Sequence, residues 1–102
     1  MRIAITGAAG GIGGKAAEFL EEKGHEVIAV DRDEEGLEEV EASSRHCFDI
    51  RDEESVEDFV EDEDFGVLVN CAGYQEAGAI EDMSAEVIEE MYGDNVFGML
   101  NM

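Results

Sequence analysis

Thr6-Gly7-Ala8-Ala9-Gly10-Gly11-Ile12-Gly13 decides the reading of this chain. The apolar run Ile3-Ala4-Ile5 in front of it reads as a buried strand. Residues 15–23 behind it, from Lys15 to Lys23, read as an amphipathic helix. A glycine-rich turn between strand and helix offers backbone N–H groups to a pyrophosphate, and the helix N-terminus adds a favourable field. One glycine permits the tight turn, one lets a phosphate approach the backbone, and one lets the helix sit close on the strand. Nucleotide binding is the first expectation.

The surroundings of the turn strengthen it. A dinucleotide site expects an acid about 20 residues further on, at the end of a second strand. After Gly24-His25 comes Glu26-Val27-Ile28-Ala29-Val30 and then Asp31. A carboxylate there accepts hydrogen bonds from the ribose hydroxyls of NAD and repels the extra phosphate of NADP. Arg32 pulls the other way, because a guanidinium can take a 2′-phosphate. No basic residue lies inside the glycine turn, so NAD is favoured over NADP. A P-loop fails on its residues: Ala9 and Ala16 stand where that motif needs a glycine and a magnesium-binding hydroxyl. A nucleotide triphosphatase is not expected.

The rest of the chain alternates. Strands are expected at about residues 2–6, 26–30, 46–48 (ending at Asp49) and 66–70, and helices at about 12–23, 34–41 and 54–60. Ser84 can cap a further helix with Val87, Ile88 and Met91 on its apolar positions. The run Gly66-Val67-Leu68-Val69-Asn70 is typical of a strand buried on both faces. Such alternation gives an α/β fold, a parallel sheet in the order 3-2-1-4 with helices on both faces. Gly7, Asp31, Asp49 and Asn70 then fall together at the carboxyl ends of the strands, where a doubly wound sheet binds its ligand.

Composition narrows the partners. The 102 residues make a single, partial domain and a modest core. The formal charge is −22, from 28 Asp and Glu against six Lys and Arg. That disfavours nucleic acid and anionic membranes, and it suits a salty cytoplasm, as in halophiles. The 44% of hydrophobic residues in periodic blocks argue against disorder. Neither a signal peptide nor an apolar spanning stretch is visible, so a cytoplasmic location is expected. Cys47 and Cys71 form no Cys-x-x-Cys pair and, with His25 and His46, no zinc spacing, so no metal is expected and both, lying in or just after apolar runs, read as buried reduced thiols.

Together these residues resemble the N-terminal, cofactor-binding half of the short-chain dehydrogenase/reductase family, and the likeness covers essentially the whole chain. Thr6-Gly7-x-x-x-Gly11-Ile12-Gly13 looks like that family's glycine motif, although Gly7-x-x-Gly10-x-x-Gly13 matches its longer, extended members. Asp49-Ile50-Arg51-Asp52 is similar to the adenine-site segment, which implies that Asp49 accepts the adenine amino group beside Ile50. Asn70-Cys71-Ala72-Gly73 looks like the Asn-Asn-Ala-Gly motif that stabilises the central sheet and lines the cofactor path, with Cys71 as a departure. That motif, followed by Tyr74, favours the compact subgroup. Asn95 in Asn95-Val96-Phe97-Gly98 aligns with the asparagine of the catalytic group, where it supports a water-linked proton relay.

The resemblance implies a Rossmann-type sheet and hydride transfer between NAD and a small alcohol or carbonyl. Its Tyr-x-x-x-Lys pair has no counterpart here: Gly78 lies four residues after Tyr74, Val96 four after Tyr92, and the only lysines are Lys15 and Lys23. The chain therefore reads as the cofactor portion of a truncated enzyme, inactive alone. A non-catalytic dinucleotide-binding or sensing module is the alternative, and a fragment whose site never assembles is the third possibility. The fourth strand would have no outer partner, so a homo-oligomer through that edge or the final helix is expected.

Overall fold

The structure is a computed structural model that describes residues 1–73 and 83–102. Four strands, β1 (Arg2–Thr6), β2 (Glu26–Asp31), β3 (Ser44–Cys47) and β4 (Val67–Asn70), form one parallel sheet in the order β3-β2-β1-β4. Ile3 stands beside Val27 on one side and Val67 on the other, which makes β1 the inner strand between β2 and β4. The α/β sheet in the expected order is thus present, and all four strands end on one side of the molecule.

Alternation along the strands sorts the core into two layers. Ile3, Ile5, Val27 and Ala29 face Ala17 of α1 (Gly11–Glu22) and Leu37 of α2 (Glu34–Glu38). Ala4, Ile28 and Val30 face the other way, towards Ile50 and Phe59, the latter on α3 (Glu53–Asp62). Helices cover both faces. Phe59 anchors its layer, with ring centroids 5.0 Å from His46, 5.4 Å from Phe48 and 5.6 Å from Phe65.

The amino ends of the strands are tied by charge. Arg2 Nε donates to Glu26 Oε2 at 3.0 Å, Nη2 donates to Glu63 Oε2 at 2.8 Å, and Nη1 donates to the Asp64 carbonyl. Glu63 Oε1 lies 2.8 Å from His46 Nε2. Bonding to His46 and Arg2 holds the Glu63 carboxyl below its ordinary value despite partial burial. One arginine and one glutamate therefore join β1, β2, β3 and the end of α3.

Three boundaries and the burial of one strand differ from the sequence pattern. β3 runs over Ser44–Cys47 and does not reach Asp49. Ser43 N–H already donates to the Val27 carbonyl at 2.9 Å, and after Phe48 N–H donates to the Asp31 carbonyl the chain turns its ring towards Phe59. α2 stops at Glu38, because Glu39 N–H and Val40 N–H fold back onto the Gly36 and Leu37 carbonyls and turn Val40 into the core. α3 is longer than expected, with Glu53 and Glu54 favourably placed in its first turn. β4 is half-buried rather than buried on both faces, since it is the outer strand on its side of the sheet among the described residues.

Ser84 caps α4 (Ala85–Tyr92) as expected, its Oγ accepting the Val87 N–H at 3.2 Å. The helix then widens into a π-helix over Gly93–Gly98 and closes with α5 (Met99–Asn101). Phe97 and Leu100 point outwards, 60% and 70% exposed. Tyr74 and Gly78 lie outside the described residues, and no described helix is long and apolar enough to cross a membrane.

Candidate functional site at the carboxyl ends of the strands

An open cleft of about 130 Å³ lies where the strands end. Gly7 begins its floor. Its φ of +68° is in the left-handed region, and a Cβ there would come within 2.5 Å of Ala72 N. The Thr6 hydroxyl, fully buried, accepts the Ala72 N–H at 3.3 Å, while the Thr6 carbonyl accepts the Cys71 N–H at 3.1 Å. Thr6 and Gly7 thereby clip the end of β4 to the end of β1. Gly10 N–H donates to the Gly7 carbonyl at 3.1 Å and closes the turn.

The opening of α1 is unlike the rest of this acidic chain. Its N-cap is Gly10, with no side-chain cap and no acid in the first turn, whereas α2, α3 and α4 each carry acids there. Uncapped N–H groups at the positive end of a twelve-residue helix suit an anion, and a carboxylate beside them would compete with it. A Cβ at Gly13 would lie 2.2 Å from the Gly7 carbonyl oxygen, so the close seating of α1 depends on that glycine. Gly11 has nothing within 4 Å of a Cβ, and Ile12 is 81% exposed at the helix start.

The second wall comes from β2 and the segment after β3. Asp31 Oδ2 accepts the Ala9 N–H at 3.0 Å, which locks the carboxylate against the glycine turn, and Oδ1 accepts the Asp33 N–H at 3.0 Å. Arg32 Nη1 lies 3.9 Å from Asp49 Oδ2 and Nη2 lies 3.5 Å from Glu90 Oε1 on α4. Asp49 is also gripped by Arg51, whose Nη2 donates at 2.7 Å and whose backbone N–H donates at 2.9 Å. These bonds, Arg51 foremost, hold the Asp49 carboxyl below the usual carboxylate range.

The helical tail packs on the same segment. A Cβ at Gly98 would lie 2.6 Å from Ile50 Cγ1, and one at Gly93 would lie 2.8 Å from Arg51 Cδ. Asn101 Nδ2 donates to the Ile50 carbonyl at 3.0 Å. Asn95, exposed within the π-helix, places its Oδ1 2.9 Å from where a Cβ on Gly73 would stand. The tail thus reaches the cleft through Gly73.

Of the residues singled out from sequence, Gly7, Asp31, Arg32, Asp49, Ile50, Ala72 and Gly73 line the cleft. Thr6 and Gly13 shape it from behind, Asn70 ends β4 beside Thr6 with its side chain exposed, Gly11 and Ile12 sit at the exposed start of α1, and Asn95 abuts Gly73. Gly10, Val30, Phe48 and Cys71 also line it, although none of them was assigned a cofactor contact from the sequence. Cys71 carried a signal, since it sits inside the Asn-x-Ala-Gly stretch; Phe48 carried only its place beside Asp49. The expected burial of the cysteines does not hold: Cys71 is half-buried, and Cys47, at the end of the edge strand β3, is an exposed free thiol that partial desolvation together with Glu34, Asp31 and Asp33 pushes up. No group of three or more metal-ligating side chains occurs among the described residues.

A parallel sheet with a glycine turn after β1, an acid after β2 and a ligand cleft at the strand ends defines a dinucleotide-binding class of fold. The family model for short chain dehydrogenases matches residues 1–102, and the chain belongs to that family. It is 34% identical over 110 residues to 2,3-dihydro-2,3-dihydroxybenzoate dehydrogenase of Bacillus subtilis, covering 95% of this chain and 42% of that protein. It is 38% identical over 81 residues to dTDP-4-dehydrorhamnose reductase of Mycolicibacterium smegmatis, covering 79% of this chain and 20% of that protein. Among solved structures, serine dehydrogenase from Escherichia coli superposes with a TM-score of 0.91 at 26% identity, over 100% of this chain and 52% of that one. A closed form of serine dehydrogenase complexed with NADP+ gives the same TM-score and identity, over 46% of its chain. The chain spans less than half the length of the curated relatives it matches.

Proposed function

We propose that this chain is the cofactor-binding portion of an NAD(P)-dependent oxidoreductase, with NAD preferred. The observation that carries the reading is the convergence of Gly7, Asp31, Asp49 and Gly73 on one cleft beside an uncapped, acid-free helix start. The α1 N–H groups at Gly11 and Ile12 hold the pyrophosphate. Asp31, fixed by Ala9 N–H, accepts the ribose hydroxyls with its remaining lone pairs. Asp49 and Ile50 receive the adenine, and Ala72 and Gly73 guide the cofactor past the end of β4, behind which Asn70 and Thr6 hold the backbone. A nicotinamide held there would supply the hydride acceptor for a small alcohol or the hydride donor for a carbonyl. Asn95, placed against Gly73, orients a water in the proton path.

The lysines here are Lys15 on α1 and Lys23 at its C-cap, so this stretch supplies no Tyr-x-x-x-Lys acid–base pair. That observation favours a second reading for the chain alone, a dinucleotide-binding module without chemistry. Both readings require cofactor affinity. An NADH fluorescence titration in molar KCl is expected to saturate, and Asp31→Ala to weaken it about tenfold, the scale of a hydrogen bond to a charged group. Absence of a saturable signal would remove both.

The outer edge of β4 and the outward residues Phe97 and Leu100 support self-association. Size-exclusion chromatography with light scattering is expected to show a dimer or larger species; a monomer at every concentration would contradict it.

A further inference from the structure

We infer that Glu90, on α4 and far in sequence from the glycine turn, sets the choice of dinucleotide by keeping the Arg32 guanidinium from a 2′-phosphate. The inference rests on the dinucleotide reading of the cleft. Arg32 follows Asp31 at the end of β2 and lines the cleft, the place from which a guanidinium accommodates the phosphate of NADP. Taken alone, it argues for NADP.

The structure shows what opposes that role. Arg32 Nη1 lies 3.9 Å from Asp49 Oδ2 and Nη2 lies 3.5 Å from Glu90 Oε1, so both terminal nitrogens of the fork already face carboxylates. Arginine recognises a phosphate through that same fork. A 2′-phosphate carrying roughly −1.5 to −2 charges would have to displace Glu90 and come to rest beside Asp31 and Asp49. Among the described residues at this corner, Asp49 and Glu90 face Arg32, Arg51 grips Asp49, and Asp31 ends β2 with its carboxylate on the glycine turn. Asp31 also takes the Ala9 N–H that an approaching phosphate could use.

Glu90 is the separable member of this set. Asp31 is bonded to the glycine turn and Asp49 is gripped by Arg51, whereas Glu90 reaches Arg32 from another element through one long contact. The pair is exposed, 44% on Arg32 and 39% on Glu90, so it contributes little to stability. Its effect lies in where the guanidinium points and in the local charge. Glu90→Gln removes both while keeping the side chain's shape.

The test is a pair of titrations, NADH and NADPH, on the wild-type chain, Glu90→Gln and Glu90→Asp, in the lowest KCl that keeps the circular dichroism native. Glu90→Gln is expected to tighten NADPH about two- to fivefold and to leave NADH unchanged, as suits one exposed charge pair. Glu90→Asp keeps the charge and should keep the wild-type ratio, and added KCl should shrink the difference. An unchanged NADPH-to-NADH ratio in Glu90→Gln, or equal weakening of both, overturns the role of Glu90 while the cleft reading stands. If neither dinucleotide binds the wild-type chain, the cleft reading and this inference fall together.

Discussion

Gly13→Val is expected to abolish NADH binding and to destabilise the chain by about 3 kcal/mol, at the upper end for forcing bulk into a packed site. A Cβ at this position would sit 2.2 Å from the Gly7 carbonyl oxygen, 2.8 Å from its carbon and 3.0 Å from Ala8 Cα. All three are backbone atoms, so no side chain can rotate aside. α1 would have to lift from the turn, withdrawing Ala17 from the core and the helix N-terminus from the cleft. A branched valine Cβ crowds the helix further. Thermal melts and NADH titration read the two losses separately. Gly11→Ala is the control, because a Cβ there meets nothing within 4 Å. Equal destabilisation by the two substitutions would show that the close seating of α1 is not what Gly13 provides.

The second large effect is that of salt. Raising KCl from 0.1 to 2 M at pH 7 should raise the thermal midpoint by more than about 10 °C, equivalent to roughly 2 kcal/mol in a domain of this size. The net charge of −22 is compressed into one small fold. The screening length falls from about 10 Å at 0.1 M to about 3 Å at 1 M, which spans the spacing of neighbouring surface acids. The arginines do little to neutralise the surface at large, because Arg2, Arg32, Arg45 and Arg51 bond locally to carboxylates or carbonyls. Isosmotic sucrose, which stabilises by exclusion without screening, separates the charge effect from general compaction. A midpoint that KCl leaves unmoved would refute it.

Acid is no substitute for salt. Glu63 and Asp49 have their folded values depressed by His46, Arg2 and Arg51. The stability they contribute is present above the ordinary carboxylate range and is lost as pH falls through those depressed values.

The architecture could be read from the sequence because its signals are local. The apolar blocks around Ile3, Val27 and Val67 alternate with helical periods, and right-handed crossovers leave few orders for the sheet. The same holds for the glycine turn and the acid after β2. Boundaries were less legible: the end of β3 depends on Phe48 turning towards Phe59, a contact eleven residues away that no short pattern encodes. The Arg32–Glu90 and Arg51–Asp49 pairs were invisible for a different reason, since charged residues are so frequent here that no single one stands out. Nothing in the local pattern marks Gly93 and Gly98, whose missing side chains make room for Arg51 and Ile50.

The π-helix at Gly93–Gly98 can also be described as a setting of angular phase. An α-helix advances about 100° per residue, and a π turn takes up one residue more than an α turn before its hydrogen bond closes. Everything beyond residue 98 is therefore rotated by about one residue's step from where an unbroken α-helix would carry it. That step lets Asn101 meet the Ile50 carbonyl while Met99 and Leu100 stay exposed. The inward grip on the adenine-side segment and the outward apolar face are one variable, and neither can be turned without the other.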